Sequence, residues 1–308
     1  MHPTRRLLVA SSLALAFFTH GGAAAADKIP VTASFSILGD LVRVVGGDRV
    51  ALTTLVGPDE DAHSFAPKPS DAKALLNTRL LVTNGLGFEP WAQKLAQSAG
   101  YKGDTVVASK GVPARPMAHM APEKGQGGHA HAETDPHAWQ NPHNVVIYVR
   151  NIATGLSKVD PSGASSYQAN AEAYVKELLA LDTWAQAQFS GIAVAKRKVI
   201  TSHDAFGYFG AHYQITFLAP QGVSTEAEPS AKQVAQLIRQ IQREKIRAVF
   251  VENMGNPKLL AQLSKDAGAT VGASLYSDAL SGADQPGATY LHMLRHNVTH
   301  LAAGMKLN

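Results

Sequence analysis

The chain has 308 residues, of which 28 are Lys or Arg, 24 are Asp or Glu and 13 are His, giving a formal net charge of +4. No stripe of basic residues interleaved with aromatics is present, which argues against nucleic acid as a partner. The chain contains no cysteine, which excludes disulfide bonds and a lipid-anchored cysteine.

The first 26 residues have the three-part pattern of a secretory signal peptide. Arg5 and Arg6 precede an apolar run over residues 7–18, and small residues follow up to Ala26. This run falls short of the roughly twenty residues that a membrane-spanning helix needs. We therefore expect cleavage after Ala26 and release of a soluble protein, without a lipid anchor, into the periplasm. The remaining chain would carry 26 basic and 24 acidic residues, and it is long enough for two domains.

Short apolar runs alternate with amphipathic segments in both halves of the remaining chain. The predicted strands are VTASFSI, RVALTTLV, RLLVT and DTVVA in the first half and KVITS, QITFL, RAVFV and TVGAS in the second. The predicted helices include SDAKALL, with Ser70 as N-cap, and SAKQVAQLIRQIQREK, with Ser230 as N-cap. This alternation predicts an α/β protein of two lobes, each a parallel sheet flanked by helices. We assign residues 27–160 and 193–308 to the two lobes.

The longest helical pattern lies between the two halves, from about residue 164 to residue 189. Its apolar residues recur at spacings of three and four, and Asp160-Pro161 precedes it as a start signal. At 1.5 Å per residue such a helix would be roughly 39 Å long. We assign residues 161–192 to one long backbone helix that joins the lobes. The alternative is a surface helix packed on one lobe.

Residues 111–135 form the one compositionally unusual stretch of the chain. This stretch is rich in Gly, Pro and Ala, has no hydrophobic period, and contains His119, His129 and His131. Such a segment cannot bury enough apolar surface to order itself, so we expect a mobile loop. Its histidines suggest weak auxiliary capture of metal. The alternative is a solvated linker that happens to contain histidines.

Four metal-capable side chains each lie in a short polar loop: His63, His137, His203 and Asp278. Their spacings of 74, 66 and 75 residues are too long for a single helix face or a compact zinc finger. His203 and Asp278 follow predicted strands, His63 lies after RVALTTLV, and His137 precedes a predicted helix. Because open α/β sheets bind ligands beyond the carboxyl ends of their strands, we expect the four to meet in the cleft between the lobes.

Five other histidines are interpreted as hydrogen-bonded structural residues. These are His143, His212, His292, His296 and His300. The last three are spaced by four residues on a predicted C-terminal helix, which is compatible with a metal pair but favours a polar helix face.

Several motifs, in order, give the whole mature chain a resemblance to a known family. They are TASFSILGDLVRVVGG, VGPDEDAHSFAPKPSDAKAL, NGLGFEPW, DPHAWQNP, SHDAFGYFGAHY, EAEPSAKQVAQLI and LYSDALS. The chain resembles the periplasmic zinc- and manganese-type solute-binding proteins of bacterial metal ABC importers (cluster A-I, zinc branch). The resemblance implies that His63, His137, His203 and Asp278 are the metal ligands. It also implies a partner, the membrane permease of an ABC importer.

Three imidazoles and one carboxylate form a four-coordinate set that suits Zn²⁺. Members that prefer manganese commonly have a glutamate at the position of His203, so we expect zinc in preference to manganese. The chain has no HExxH motif, GxSxG elbow or Walker A motif, which argues against an enzyme. Adhesins and metal chaperones on the same scaffold remain alternatives. We further expect a monomer, which could receive metal from a periplasmic metallochaperone.

Overall fold

The structure, a computed structural model, describes residues 27–117, 134–226, 229–255 and 257–308. The predicted signal peptide and His119, His129 and His131 lie outside these ranges. Within them, the chain forms two four-stranded parallel sheets flanked by helices. The α/β fold class predicted from the alternating sequence pattern is therefore confirmed.

The first sheet is built from the first half of the chain and has the strand order β2-β1-β3-β4. Its strands are β1 (Ile29–Phe35), β2 (Val50–Val56), β3 (Leu80–Thr83) and β4 (Asp104–Val107). Helices α1 (Ser36–Gly46), α2 (Pro69–Leu76) and α3 (Pro90–Ser98) connect them.

Ser70 does not cap helix α2, contrary to the prediction. The helix begins at Pro69, because proline already has the backbone angle of a first helical residue. The carboxylate of Asp71 then accepts a hydrogen bond from the backbone N–H of Lys68 at 2.7 Å.

Two long helices follow the first sheet: α4 (Pro142–Val159) and α5 (Ala164–Ser190). The observed α5 matches the predicted range of 164–189 almost residue for residue. Near its start, the amide of Asn170 donates a hydrogen bond to the carbonyl of Val45 at the end of α1. Near its end, the ring of Phe189 packs against Tyr213 in the second half of the chain. Helix α5 therefore contacts both halves, as a joining helix should.

The second sheet has the strand order β6-β5-β7-β8, which repeats the topology of the first. Its strands are β5 (Lys198–Ile200), β6 (Thr216–Leu218), β7 (Ala248–Val249) and β8 (Thr270–Val271). Helices α6 (Gly207–Tyr213), α7 (Ala231–Glu244) and α8 (Pro257–Ala267) connect them, and α9 (Tyr290–Met305) ends the chain. Ser230 caps α7 as predicted, in a reciprocal pair of hydrogen bonds with Gln233.

One hydrophobic core runs through both halves of the molecule. It includes Phe35 and Trp139 from the first half and Phe209 and Leu294 from the second. A smaller core lies under α7 and α8 around Ile241. A shared core resists separation of the two lobes, since opening them would expose apolar surface to water. The residue limits given to the lobes above stay a prediction.

Candidate metal centre

Of the four side chains singled out in the sequence, three follow strands of the two sheets and one lies just before helix α4. His63 follows β2, His203 follows β5, and His137 directly precedes a short 3-10 turn at the start of α4. Asp278 lies in the segment after β8. An isolated parallel bridge between His203 and Gln221 extends the second sheet toward the cleft. The side chains meet where a doubly wound sheet offers its ligand site.

The structure brings all four predicted residues together. One ligating atom from each of His63, His137, His203 and Asp278 lies within 4.8 Å of the others. The Nε2 atoms of His63 and His137 are 3.3 Å apart. Asp278 Oδ2 lies 2.9 Å from His203 Nε2 and 3.2 Å from His63 Nε2. Three imidazole nitrogens and one carboxylate therefore face a common point.

The cluster is buried. His137, His203 and Asp278 are at most 1% exposed, and His63 is 9% exposed. Asp278 Oδ1 has no hydrogen-bond partner among the described residues, although His137 Nε2 lies 3.6 Å away. A buried carboxylate oxygen without a hydrogen bond is costly. Coordination of a cation would satisfy it.

Two carboxylates behind the cluster orient the imidazoles. Asp135 Oδ1 lies 2.9 Å from Nδ1 of His137 and also accepts the backbone N–H of that residue at 3.0 Å. Glu252 Oε2 lies 2.5 Å from Nδ1 of His203, an ion-pair contact that lacks the alignment of a hydrogen bond. Since each carboxylate engages Nδ1, the Nε2 atoms of His137 and His203 are left to face the centre.

Neither of these carboxylates was predicted from the sequence. Asp135 could have been found, because it stands two residues before His137 in the same DPH motif. Glu252 follows β7, close to the carboxyl end where the sheet offers its ligand site, but its partner His203 is 49 residues away. No local pattern in the sequence joins the two.

The charges within the cluster shift the pKa values of its members. Burial lowers the pKa of His137, but the carboxylates of Asp278 and Asp135 outweigh it and raise the value to about 9. Burial likewise opposes protonation of His203, yet Glu252 and Asp278 raise its pKa well above the usual range. Burial raises the pKa of Asp278, but His137 and His203 hold it well below the usual range. Without a cation, the centre therefore binds protons instead.

The loop that carries Asp278 is fixed to the first half of the chain. The carbonyl of Ser277 accepts hydrogen bonds from Trp139 Nε1 at 2.9 Å and Gln140 Nε2 at 2.7 Å. The backbone N–H of Leu280 donates to Ser36 Oγ at 3.0 Å. Asp278 stands between these anchors, so its carboxylate is held in place by both lobes.

The remaining histidines lie elsewhere. His143 and His212 meet at Asp182, in a second cluster that shares no residue with the first. His292 is exposed on α9, where the rings of His296 and His300 lie 4.3 Å apart. His296 Nε2 contacts the carbonyl of Ser274 at 2.8 Å, which fits the predicted structural role.

Comparison with known proteins finds relatives over almost the whole chain. A family model described as "Zinc-uptake complex component A periplasmic" matches residues 31–304. The manganese-binding lipoprotein MntA of Halalkalibacterium halodurans is 32% identical over 279 residues, covering 91% of this chain and 89% of that protein. The iron ABC transporter substrate-binding lipoprotein MtsA of Streptococcus pyogenes is 31% identical over 288 residues, covering 92% and 90% of the two chains. The solved structure of the periplasmic zinc-binding protein TroA from Treponema pallidum matches with a TM-score of 0.82 at 26% identity, covering 90% of this chain and 99% of that one.

Within the described ranges, none of the helices combines the length and the apolar character that a membrane span needs. Two of these relatives are named lipoproteins, in contrast to the expected absence of a lipid anchor, which rested on the lack of cysteine. The family comprises metal-binding proteins that serve a membrane permease, and its members are not enzymes. The chain belongs to this zinc-uptake complex component A family, the extracytoplasmic substrate-binding proteins of metal ABC importers.

Proposed function

We propose that this protein captures zinc outside the cytoplasm and delivers it to an ABC permease for import. The observation that carries the proposal is the donor set: three imidazole nitrogens and one carboxylate around a single buried point. In this proposal His63, His137, His203 and Asp278 are the four ligands. Four protein ligands complete a tetrahedron, which suits a carrier because a catalytic zinc keeps one position open for water.

The distances support zinc. A tetrahedral site with bonds of about 2.0–2.1 Å places neighbouring ligand atoms about 3.3–3.4 Å apart. Asp278 Oδ2 lies 2.9 Å from His203 Nε2 and 3.2 Å from His63 Nε2, and the Nε2 atoms of His63 and His137 are 3.3 Å apart. These three separations are close to the ideal value.

Manganese is the second candidate, because one relative is named as a manganese-binding protein. Mn²⁺ is better served by carboxylate, carbonyl and water ligands, whereas imidazole suits zinc. A set with three imidazoles therefore favours zinc over manganese.

A cavity of about 580 Å³ provides the route to the centre. It is lined by His63 and Phe88 from the first half and by Val223 and Ser224 from the second. His63 is the most exposed of the four proposed ligands. We therefore place the arrival and departure of the metal on the side of His63.

The described ends of the histidine-bearing segment reach the same cavity. Met117 and Thr134 both line it, and Pro116 pairs with Thr134 in an antiparallel bridge. The described residues on either side of the segment that contains His119, His129 and His131 therefore border this cavity. This supports the proposed role of these histidines in concentrating metal before it enters the centre.

The test is a competition titration of metal-free mature protein with zinc and manganese. We expect one tight site that prefers zinc. His203→Ala should remove most of the zinc affinity while the protein stays folded by circular dichroism. His292→Ala is the matched control, because His292 is exposed and lies outside the cluster. Preference for manganese, or equal zinc binding by His203→Ala and the control, would overturn the proposal.

Release into the periplasm as a soluble monomer, and loading by a metallochaperone, remain predictions alongside this function. Metal analysis of protein purified from the periplasmic fraction would check the first. Size-exclusion chromatography with light scattering would check the monomeric state.

A further inference from the structure

A second group of metal-capable side chains lies at the junction of three helices. His143 stands in the first turn of α4, Asp182 in the joining helix α5, and His212 in α6. Their ligating atoms also lie within 4.8 Å of one another. We propose that these three residues bind a second divalent transition-metal ion, with Zn²⁺ as the reference ion, independently of the centre in the cleft.

The two imidazoles approach Asp182 from different helices. His143 Nε2 lies 3.0 Å from Asp182 Oδ2, and His212 Nε2 lies 2.7 Å from Asp182 Oδ1. Their rings are 5.1 Å apart. Both imidazoles thus present the same nitrogen to one carboxylate. Two nitrogens and one oxygen are a recognised three-ligand set for zinc, with water in the fourth position.

The carboxylate is held for this role. Asp182 is 4% exposed. Tyr213 Oη donates a hydrogen bond to its Oδ1 at 2.7 Å, and Gln186 Nε2 donates to its Oδ2 at 2.8 Å. Although burial opposes ionisation, the hydrogen bonds to His212, Tyr213 and His143 lower the pKa of Asp182 to about 2. The carboxylate is therefore charged and fixed at any pH where the imidazoles are neutral enough to coordinate.

The exposure of the group suits an exchangeable ion. The side chain of His143 is 52% exposed and that of His212 is 20% exposed. Water can therefore occupy the fourth position, and the ion can enter directly from solvent. A site with fewer ligands and more solvent should bind more weakly than the buried centre.

Binding at this junction would have a mechanical effect. Helix α4 belongs to the first half of the chain, α6 to the second, and α5 joins them. An ion shared by all three would stabilise their packing, because it binds the folded state and not the unfolded one. Zinc should therefore raise the unfolding temperature through this site even when the cleft cannot bind metal.

The experiment uses full mature protein in which two of the four cleft ligands and the three histidines of residues 111–135 are replaced. This background carries His63→Ala, His203→Ala, His119→Gln, His129→Gln and His131→Gln. Zinc is titrated by calorimetry, and thermal unfolding is followed with and without zinc. We expect one saturable site and a rise in unfolding temperature. An anomalous signal at the zinc edge between His143 and His212 in crystals would locate the ion.

Three further substitutions are then made singly in this background. His143→Gln removes an exposed imidazole and keeps an amide able to donate to Asp182, so the protein should fold. His212→Gln tests the second imidazole. His143→Gln and His212→Gln should each weaken zinc binding at least about tenfold and abolish the zinc-dependent rise in unfolding temperature. His292→Gln, on an exposed position of α9, should change neither. Absence of saturable binding in the background, or equal binding by His143→Gln and His292→Gln, would overturn the proposal and leave a hydrogen-bonded junction only.

Discussion

Replacement of Glu252 by Gln tests whether the carboxylates behind the proposed centre control its affinity. Glu252 Oε1 accepts the backbone N–H groups of Ser202 and His203 at 2.7 and 3.0 Å, while Oε2 contacts His203 Nδ1 at 2.5 Å. Gln keeps the shape and can retain the first two hydrogen bonds. It removes the negative charge that faces the imidazole.

The magnitude follows from two opposing effects. Loss of a carboxylate behind a metal-bound imidazole costs about 10- to 100-fold in metal affinity, which equals about 1.4–2.7 kcal/mol. Glu252 also raises the pKa of His203, so its removal makes the imidazole easier to deprotonate. Metal binds the neutral form, and the variant therefore suffers less competition from protons at low pH. The loss should be greatest near pH 8 and should shrink toward pH 6.

The assay is zinc competition with a chelator of known affinity at pH 6 and pH 8. Glu172→Gln provides the matched control, because Glu172 forms an exposed pair with Arg150 and does not contact the cleft. We expect the control to match the wild type at both pH values. If Glu252→Gln binds zinc as tightly as the wild type at pH 8, or if its loss grows as the pH falls, the orienting role of Glu252 is wrong.

Three further predictions concern protons, a buried carboxyl and the histidine-bearing segment. Zinc affinity of the wild type should keep rising between pH 6 and pH 8, by about tenfold per pH unit for each protonated imidazole. The affinity rises over this range because the pKa of His137 is raised to about 9. A plateau of the affinity above pH 6.5, measured by calorimetry, would contradict this prediction. Glu89→Gln should stabilise the protein by about 3 kcal/mol at pH 8.5 and progressively less toward pH 4.5. The reason is that burial raises the pKa of Glu89 to about 7, so that ionisation of the carboxyl above this pH costs stability. Equal denaturant midpoints of the variant and the wild type at pH 8.5 would refute this prediction. Residues 117–133 can be replaced by Asn-Gly, which forms a two-residue turn between the bridge partners Pro116 and Thr134. The variant should keep one tight zinc site and lose only weak binding. Loss of the tight site in a zinc titration would show that the segment has a larger role.

Local sequence signals correctly predicted features that depend on residues close together in the chain. Ser230 and Gln233 stand three residues apart and form the predicted cap, and the apolar period of α5 gave its length. Ser70 shows the limit of such signals, since two good N-terminal residues stand side by side and Pro69 takes the first helical position. Helix ends are decided by small differences that a propensity does not resolve.

The residues of the candidate sites also differ in how far the local sequence could predict them. The four cleft residues could be predicted because each lies in a distinctive motif at a strand or helix end. The supporting carboxylate Glu252 could not, because its role depends on a contact with a residue 49 positions away. Asp182 was missed for the same reason. In sequence it is one polar residue on a long helix, and only the packing of α4 and α6 beside α5 brings His143 and His212 to it.

The arrangement of the proposed centre also bears on how the metal leaves. Asp278 is held by hydrogen bonds that join its loop to the first half of the chain, and one hydrophobic core spans both halves. A wide hinge opening would break these contacts and expose that core, at a cost that the loss of one metal ion does not offset. His63 differs from the other three, because it borders the cavity and has no carboxylate behind its ring among the described contacts. Rotation of the His63 ring away from the centre would leave a three-ligand site open to the cavity. It requires no movement of the neighbouring core residue Ala62 or of the anchored Asp278, so we expect it to be the first step of release.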